Sequence, residues 1–138
     1  MINTWDVIEQ YRGNAVYVTV EGAIINSQTQ QRAPFRFSCL VDTGCEFGLY
    51  YEETLRSDAE SVGVVPTPTR IRLGDGTPVP AHVCIAHIER INKHILPPPG
   101  IPVQIFMRGS RRGFMGMEAL KHFVTHFDGP SQELKIKF

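Results

Sequence analysis

The sequence predicts an all-β domain with one short helix near its C-terminal end, and three observations carry that expectation. β-Branched and aromatic residues gather in short runs, several of which alternate with polar residues. Ten prolines and twelve glycines punctuate the chain often, which favours many short elements over a few long helices. One stretch, Met117 to Val124, places its apolar residues at 117, 120, 123 and 124, the spacing of a helix.

The elements follow in order. Residues 14–25, Asn-Ala-Val-Tyr-Val-Thr-Val-Glu-Gly-Ala-Ile-Ile, read as a strand, and the polar stretch Asn26 to Arg32 turns the chain. Phe35 to Val41 begins as an alternating strand and finishes apolar, as a strand entering a core does. Residues 52–61 suit a short helix or a turn. Arg70 to Leu73 and Val79 to Ile88 flank Gly74-Asp75-Gly76-Thr77, and Asp-Gly between such segments signals a hairpin because Gly accepts a positive φ. Pro97-Pro98-Pro99-Gly100 is a stiff corner that cannot donate to a ladder, and Ile101 to Met107 reads as the next strand. Gly129-Pro130 makes a turn. Leu134, Ile136 and Phe138 then alternate with Lys135 and Lys137 in a terminal strand with one buried face.

Bulk properties narrow the function. At 138 residues, with 42% hydrophobic and 20% charged content, one globular domain spanning residues 1–138 is expected. Basic and acidic residues balance at 14 each, so no global field draws in a polyanion, and no nucleic-acid partner is expected. The local basic group Arg108, Arg111 and Arg112 suits a solvated loop. No apolar run is long enough for a bilayer, and Met1 to Asp6 lacks the basic and apolar parts of a secretory signal. Cys39, Cys45 and Cys84 are odd in number and lack Cys-x-x-Cys spacing. Reduced thiols in a cytoplasmic protein are the expectation.

The chemistry concentrates in Leu40-Val41-Asp42-Thr43-Gly44, a carboxylate on a tight turn directly after an apolar strand. Burying an ionised carboxylate without donors is expensive, so a structural role would need partners beside it. Gly44 lets backbone come close to the carboxylate, and the Thr43 hydroxyl suits a neighbouring backbone group. The tripeptide alone also fits an ordinary surface turn, where Asp and Gly are common.

With its surroundings, the run resembles the catalytic loop of the retropepsin-like aspartic proteases, the single-lobed family that includes retroviral proteases. Phe114-Met115-Gly116-Met117-Glu118-Ala119-Leu120 resembles that family's second signature, two apolar residues and a glycine opening the C-terminal helix. The hairpin at Gly74-Asp75-Gly76-Thr77 falls where the family places its flap, and order and spacing agree over residues 14–138. The resemblance implies a closed, single-lobed β fold with a short C-terminal helix. It also implies that Asp42, Thr43 and Gly44 are catalytic, and that Gly74 to Thr77 and Phe114 to Gly116 meet the substrate. No metal or other cofactor is implied.

The implied reaction is attack of water on a peptide carbonyl, with the water held between two Asp42 carboxylates from two identical chains. One acts as base while the other, protonated, hydrogen-bonds the carbonyl oxygen. Two unit charges about 3 Å apart repel by roughly 5 kcal/mol at an effective dielectric near 20, so such a pair shares a proton, as in aspartic proteases generally. The chain has one Asp-Thr-Gly, so the second is expected from another copy. By the same resemblance Glu133 to Phe138 would pair across the homodimer. Arg111 and Arg112, just before the second signature, are expected near the groove with a preference for acidic substrate residues. The chain departs from the family where Cys45 replaces a small residue and Met117 a polar or basic partner for Glu46.

Other constellations compete. Cys45 with a histidine suggests a cysteine nucleophile, but no signature surrounds it. His122 and His126 have i,i+4 spacing suited to zinc on a helix, but a helix ending near Val124 would splay them. A silent module that dimerises or binds peptides remains the alternative to an enzyme, since fold does not guarantee activity.

Overall fold

Alternation decides where most of the strands lie. The computed structural model describes residues 4–72, 75–109 and 113–138. Its elements run β1 (Val7–Gln10), β2 (Tyr17–Ile25), β3 (Arg32–Val41), β4 (Leu49–Glu52), α1 (Leu55–Ser61), β5 (Thr67–Arg72) and β6 (Pro78–Ile91). There follow β7 (His94–Ile95), β8 (Ile101–Arg108), β9 (Gly113–Met115), α2 (Met117–Leu120), β10 (Val124–Asp128) and β11 (Glu133–Lys137). In β3 the alternate residues Ala33, Phe35, Phe37, Cys39 and Val41 turn inward, and in β8 Val103, Ile105 and Met107 do the same. Each such buried Val, Ile, Phe or Met side chain contributes about 1.5–3 kcal/mol of transfer free energy.

The main sheet has the order β2-β3-β9-β4-β8-β6-β5, and β2 also pairs with β6, so six of its strands close into a barrel. β5 and β7 attach to β6 outside that ring. The chain is therefore mostly β, with the short helix α2 near its C-terminal end as the sequence predicts, and α1 takes the helical alternative left open for residues 52–61. Two pairings matter most for function. β9 lies parallel to β3 (Val41↔Met115) and antiparallel to β4 (Leu49↔Met115), so it sits between two strands consecutive in sequence. The connection carrying Asp42 must cross the end of β9. The predicted hairpin is present, with β5 and β6 antiparallel and Arg72 opposite Pro78.

Two expectations change. The helix predicted over Met117 to Val124 ends at Leu120, because His122 and Phe123 donate only three residues back, to Ala119 and Leu120. That tightened turn releases the chain into β10. Its apolar spacing mixed two elements: Leu120 and Phe123 are buried, whereas Val124 stands 51% exposed on a strand.

The second correction concerns the terminal strand. β11 is the central strand of a separate sheet, β1-β11-β10, with antiparallel partners on both sides. Both of its hydrogen-bonding edges are satisfied within the chain, so it has no free edge to offer a second copy. Leu134 and Ile136 are fully buried, and the Phe138 N–H donates to Asp6 Oδ2 at 2.8 Å. Removing residues 133–138 would therefore strip out core and not merely an interface.

Candidate active site

Backbone hydrogen bonds set the position of Asp42. As β3 ends, the Asp42 N–H donates to the Met115 carbonyl of β9 at 2.9 Å. The chain then turns: Gly44 N–H donates to Asp42 Oδ1 at 2.9 Å and Cys45 N–H to the Asp42 carbonyl at 3.2 Å. The carboxylate is thus partly satisfied by its own turn, as its half-buried setting requires. A Cβ at Gly44 would lie 3.3 Å from Asp42 Oδ1, a tight approach that glycine avoids.

The second signature holds this loop in place. Met117 N–H donates to Cys45 O at 2.8 Å, Gly116 N–H to Gly48 O at 2.9 Å and Glu118 N–H to Phe47 O at 3.3 Å. Gly116 has to be glycine, since a Cβ there would overlap the carbonyl oxygens of Phe47 and Cys45. Strand order explains why distant segments meet: with β9 between β3 and β4, the start of α2 abuts the loop that joins those strands.

Asp42 and Gly44 line a cleft of about 480 Å³. Its apolar wall is Phe47, Tyr50, Ile71 and Phe114, and its charged lining adds Glu46, Arg72 and Arg108 to Asp42. Phe47 packs on Phe106 (centroids 4.7 Å apart) and Tyr50 meets Phe114 edge-on (5.6 Å). These side chains form a small cluster of their own with Val79 and Ala81 of the β5–β6 hairpin, apart from the barrel core. Two other hollows, about 580 and 620 Å³, are larger but lie away from Asp42. The second of these is lined by the ion-paired groups Arg32–Glu89 and Arg36–Glu21–Arg90.

The residues singled out from the sequence divide. Asp42, Gly44 and Phe114 come together at the cleft. Thr43 is exposed at the loop tip, and its hydroxyl has no hydrogen bond to any described residue. Met115 is fully buried on the opposite side of β9 from Phe114, in the barrel core. Gly116 supports the loop from behind. Asp75, Gly76 and Thr77 are exposed at the hairpin tip and do not line the cleft; Asp75 Oδ1 accepts the Thr77 N–H at 2.9 Å, which holds its carboxyl below the usual range. Gly74, Arg111 and Arg112 lie outside the described residues.

Sequence reasoning missed Phe47, Tyr50, Ile71, Arg72 and the placement of Arg108. A signal existed for Arg108: two residues along an alternating strand from Phe106, it had to share that residue's face. Cys45 also lines the cleft, but burial pushes its thiol up and the charges of Asp42 and Glu46 add to this, against one opposing hydrogen bond from Phe47 N–H. That disfavours the thiolate a cysteine nucleophile needs. His122 sits in the turn after α2 and His126 in β10 beside Trp5, so they share no helix face. No helix among the described residues is long and apolar enough to cross a membrane.

No family model matches this chain. No curated protein matches it either. Among solved structures, it is similar to a retropepsin-like aspartic protease from Rickettsia conorii, with 17% identity and a TM-score of 0.51. The similarity covers 94% of this chain and 88% of that one. At that identity the likeness speaks for architecture alone: the chain has the closed β fold, with a short helix, of a retropepsin-like aspartic protease.

Proposed function

We propose that the chain is one subunit of an aspartic endopeptidase whose active site is completed by a second identical chain. The observation that carries this reading is the setting of Asp42. It is a half-buried carboxylate on a backbone-braced turn, lining a cleft walled by aromatic side chains and bordered by Ile71 and Arg72 of β5. Such a cleft suits an extended peptide with large apolar side chains. The β5 strand of the β5–β6 hairpin supplies Ile71 and Arg72 to it.

Asp42 activates the attacking water as general base while its counterpart in the second copy donates a hydrogen bond to the carbonyl oxygen. The exposed tip at Thr43 and Gly44 leaves the loop open to that copy. With β11 enclosed, the subunits meet through other surfaces. The outer edge of β10, along which Val124 is 51% and Phe127 40% exposed, offers an open edge of the terminal sheet for a two-fold contact.

Asp42→Asn tests the reading, because an amide keeps the shape of the side chain but cannot serve as base or share a proton. A mixed peptide library should be cleaved by the native chain and not by the variant, with both melting alike. Specific activity should fall on dilution and peak below neutrality. Cleavage retained in well-folded Asp42→Asn removes Asp42 from the mechanism. A rate still rising above about pH 9 points to Cys45, and a monomer with concentration-independent activity removes the shared site. Peptide binding without turnover in either protein indicates a silent module.

A further inference from the structure

Four charged groups line the cleft, and they are not equally committed. Asp42 accepts a backbone N–H from Gly44. The Arg72 side chain is exposed, and its Nη1 donates to the Gly76 carbonyl at 2.9 Å, which ties it to the hairpin turn. Glu46 is exposed, so water screens it. Arg108 differs from all three. It is half-buried, and no carboxylate among the described residues lies within ion-pair distance of its guanidinium. Glu52 is its cross-strand neighbour in the β4–β8 ladder, but the Glu52 carboxylate instead accepts the Thr54 hydroxyl at 3.3 Å.

The fold gives Arg108 this position. Ile105 and Met107 of β8 point into the barrel core, so Phe106 and Arg108 share the opposite face. Phe106 belongs to the aromatic cluster of the cleft, and Arg108 is the next residue along that face. A guanidinium partly removed from water, offering five donors and lacking a carboxylate partner, gains most from one that arrives with a ligand.

We infer that Arg108 is a specificity-determining residue that selects peptides carrying an acidic side chain beside the apolar residue held by Phe47, Ile71 and Phe114. The inference rests on the peptidase reading above and names its substrate class. Arg72 reinforces the positive side of the cleft. Glu46 is the competing influence, since it would draw a basic side chain, but its exposure weakens that attraction relative to half-buried Arg108.

The test uses the full chain and paired peptides that differ only in Glu against Gln, scanned through the positions flanking a Leu or Phe. Native protein should prefer Glu at one position by about ten-fold in kcat/KM, the size of one charge-assisted pair. Arg108→Gln should bring that ratio near unity, Arg108→Lys should keep part of it, and Arg108→Glu should favour a Lys peptide. The same Glu/Gln pairs binding to Asp42→Asn, read by fluorescence anisotropy, should show the preference without turnover. An unchanged Glu/Gln ratio in folded Arg108→Gln or Arg108→Glu overturns this inference and leaves the peptidase reading standing. Native protein that neither binds nor cleaves any peptide overturns both.

Discussion

Strands β4, β8 and β9 each have two faces, and the two faces serve different ends. On the inner face Leu49, Ile105, Met107 and Met115 are fully buried in a cluster that also takes in residues from the rest of the barrel and the terminal sheet. On the outer face Tyr50, Phe106 and Phe114 form a small cluster with the hairpin residues Ile71, Val79 and Ala81, and Phe106 and Phe114 remain half exposed. Apolar residues are thus spent on stability on one face and left incompletely covered on the other. Incomplete aromatic burial beside a carboxylate is what a ligand cleft requires, because it leaves apolar surface to be covered by the ligand. Adjacent residues of the same short strand, Phe114 and Met115, belong to opposite sides of this division.

The largest effect that tests the division is the stability of Met115→Ala. Truncating a fully buried Met removes packing from a site that cannot collapse freely, so a loss of about 2–5 kcal/mol is expected in denaturant unfolding. A loss below about 1 kcal/mol would mean that the inner face is no more tightly packed than the outer one.

Phe114→Ala should behave in the opposite way. A half-exposed ring surrenders less burial, about 1 kcal/mol of stability, while the cleft loses part of its wall. Peptide cleavage should fall by about ten-fold in kcat/KM, beyond anything a change in folded fraction explains. Equal losses of stability in the two variants would erase the distinction between the faces.

The smallest effect lies on neither face. Asp6 anchors the terminal sheet: its carboxyl is held below its ordinary 3.8 by the Phe138 N–H, with Lys137 and His94 adding to this against partial desolvation. Asp128 is lowered likewise by the Ser131 N–H and hydroxyl in the β10–β11 turn. A folded value below the unfolded one means that the stabilisation is present above about pH 4 and is lost as pH falls through the lowered values. Asp6→Asn should therefore be less stable than the native chain near pH 7, and the gap should close toward pH 2. A gap that persists in strong acid would assign the effect to the shape of the amide and not to charge.

Much of this could be read in the residues. Alternation in Phe35 to Val41, Ile101 to Met107 and Leu134 to Phe138 marked buried faces that are present, because a period of two reports burial directly. The Asp-Gly pair located the β5–β6 turn, and Gly116 marked the start of α2. Other elements left no such trace. β9 has three residues, too few to show a period, and it exists because β3 and β4 flank it. β1 and β10 carry exposed Ile8 and Val124 and are strands because β11 lies between them.

The sequence by itself determined which residues are apolar at strand period, that a carboxylate follows one such strand on a turn, and that a glycine precedes a helix. Tertiary structure decided that this glycine lies against the carboxylate's loop, that Arg108 and Arg72 border the same cleft, and that the last strand is enclosed on both sides. The physical reason is that a period of two records which side of a strand is buried but not which strand lies next to it. Adjacency is set by closure of the barrel through pairs such as Val41↔Met115 and Val20↔Ile91, whose members are far apart along the chain.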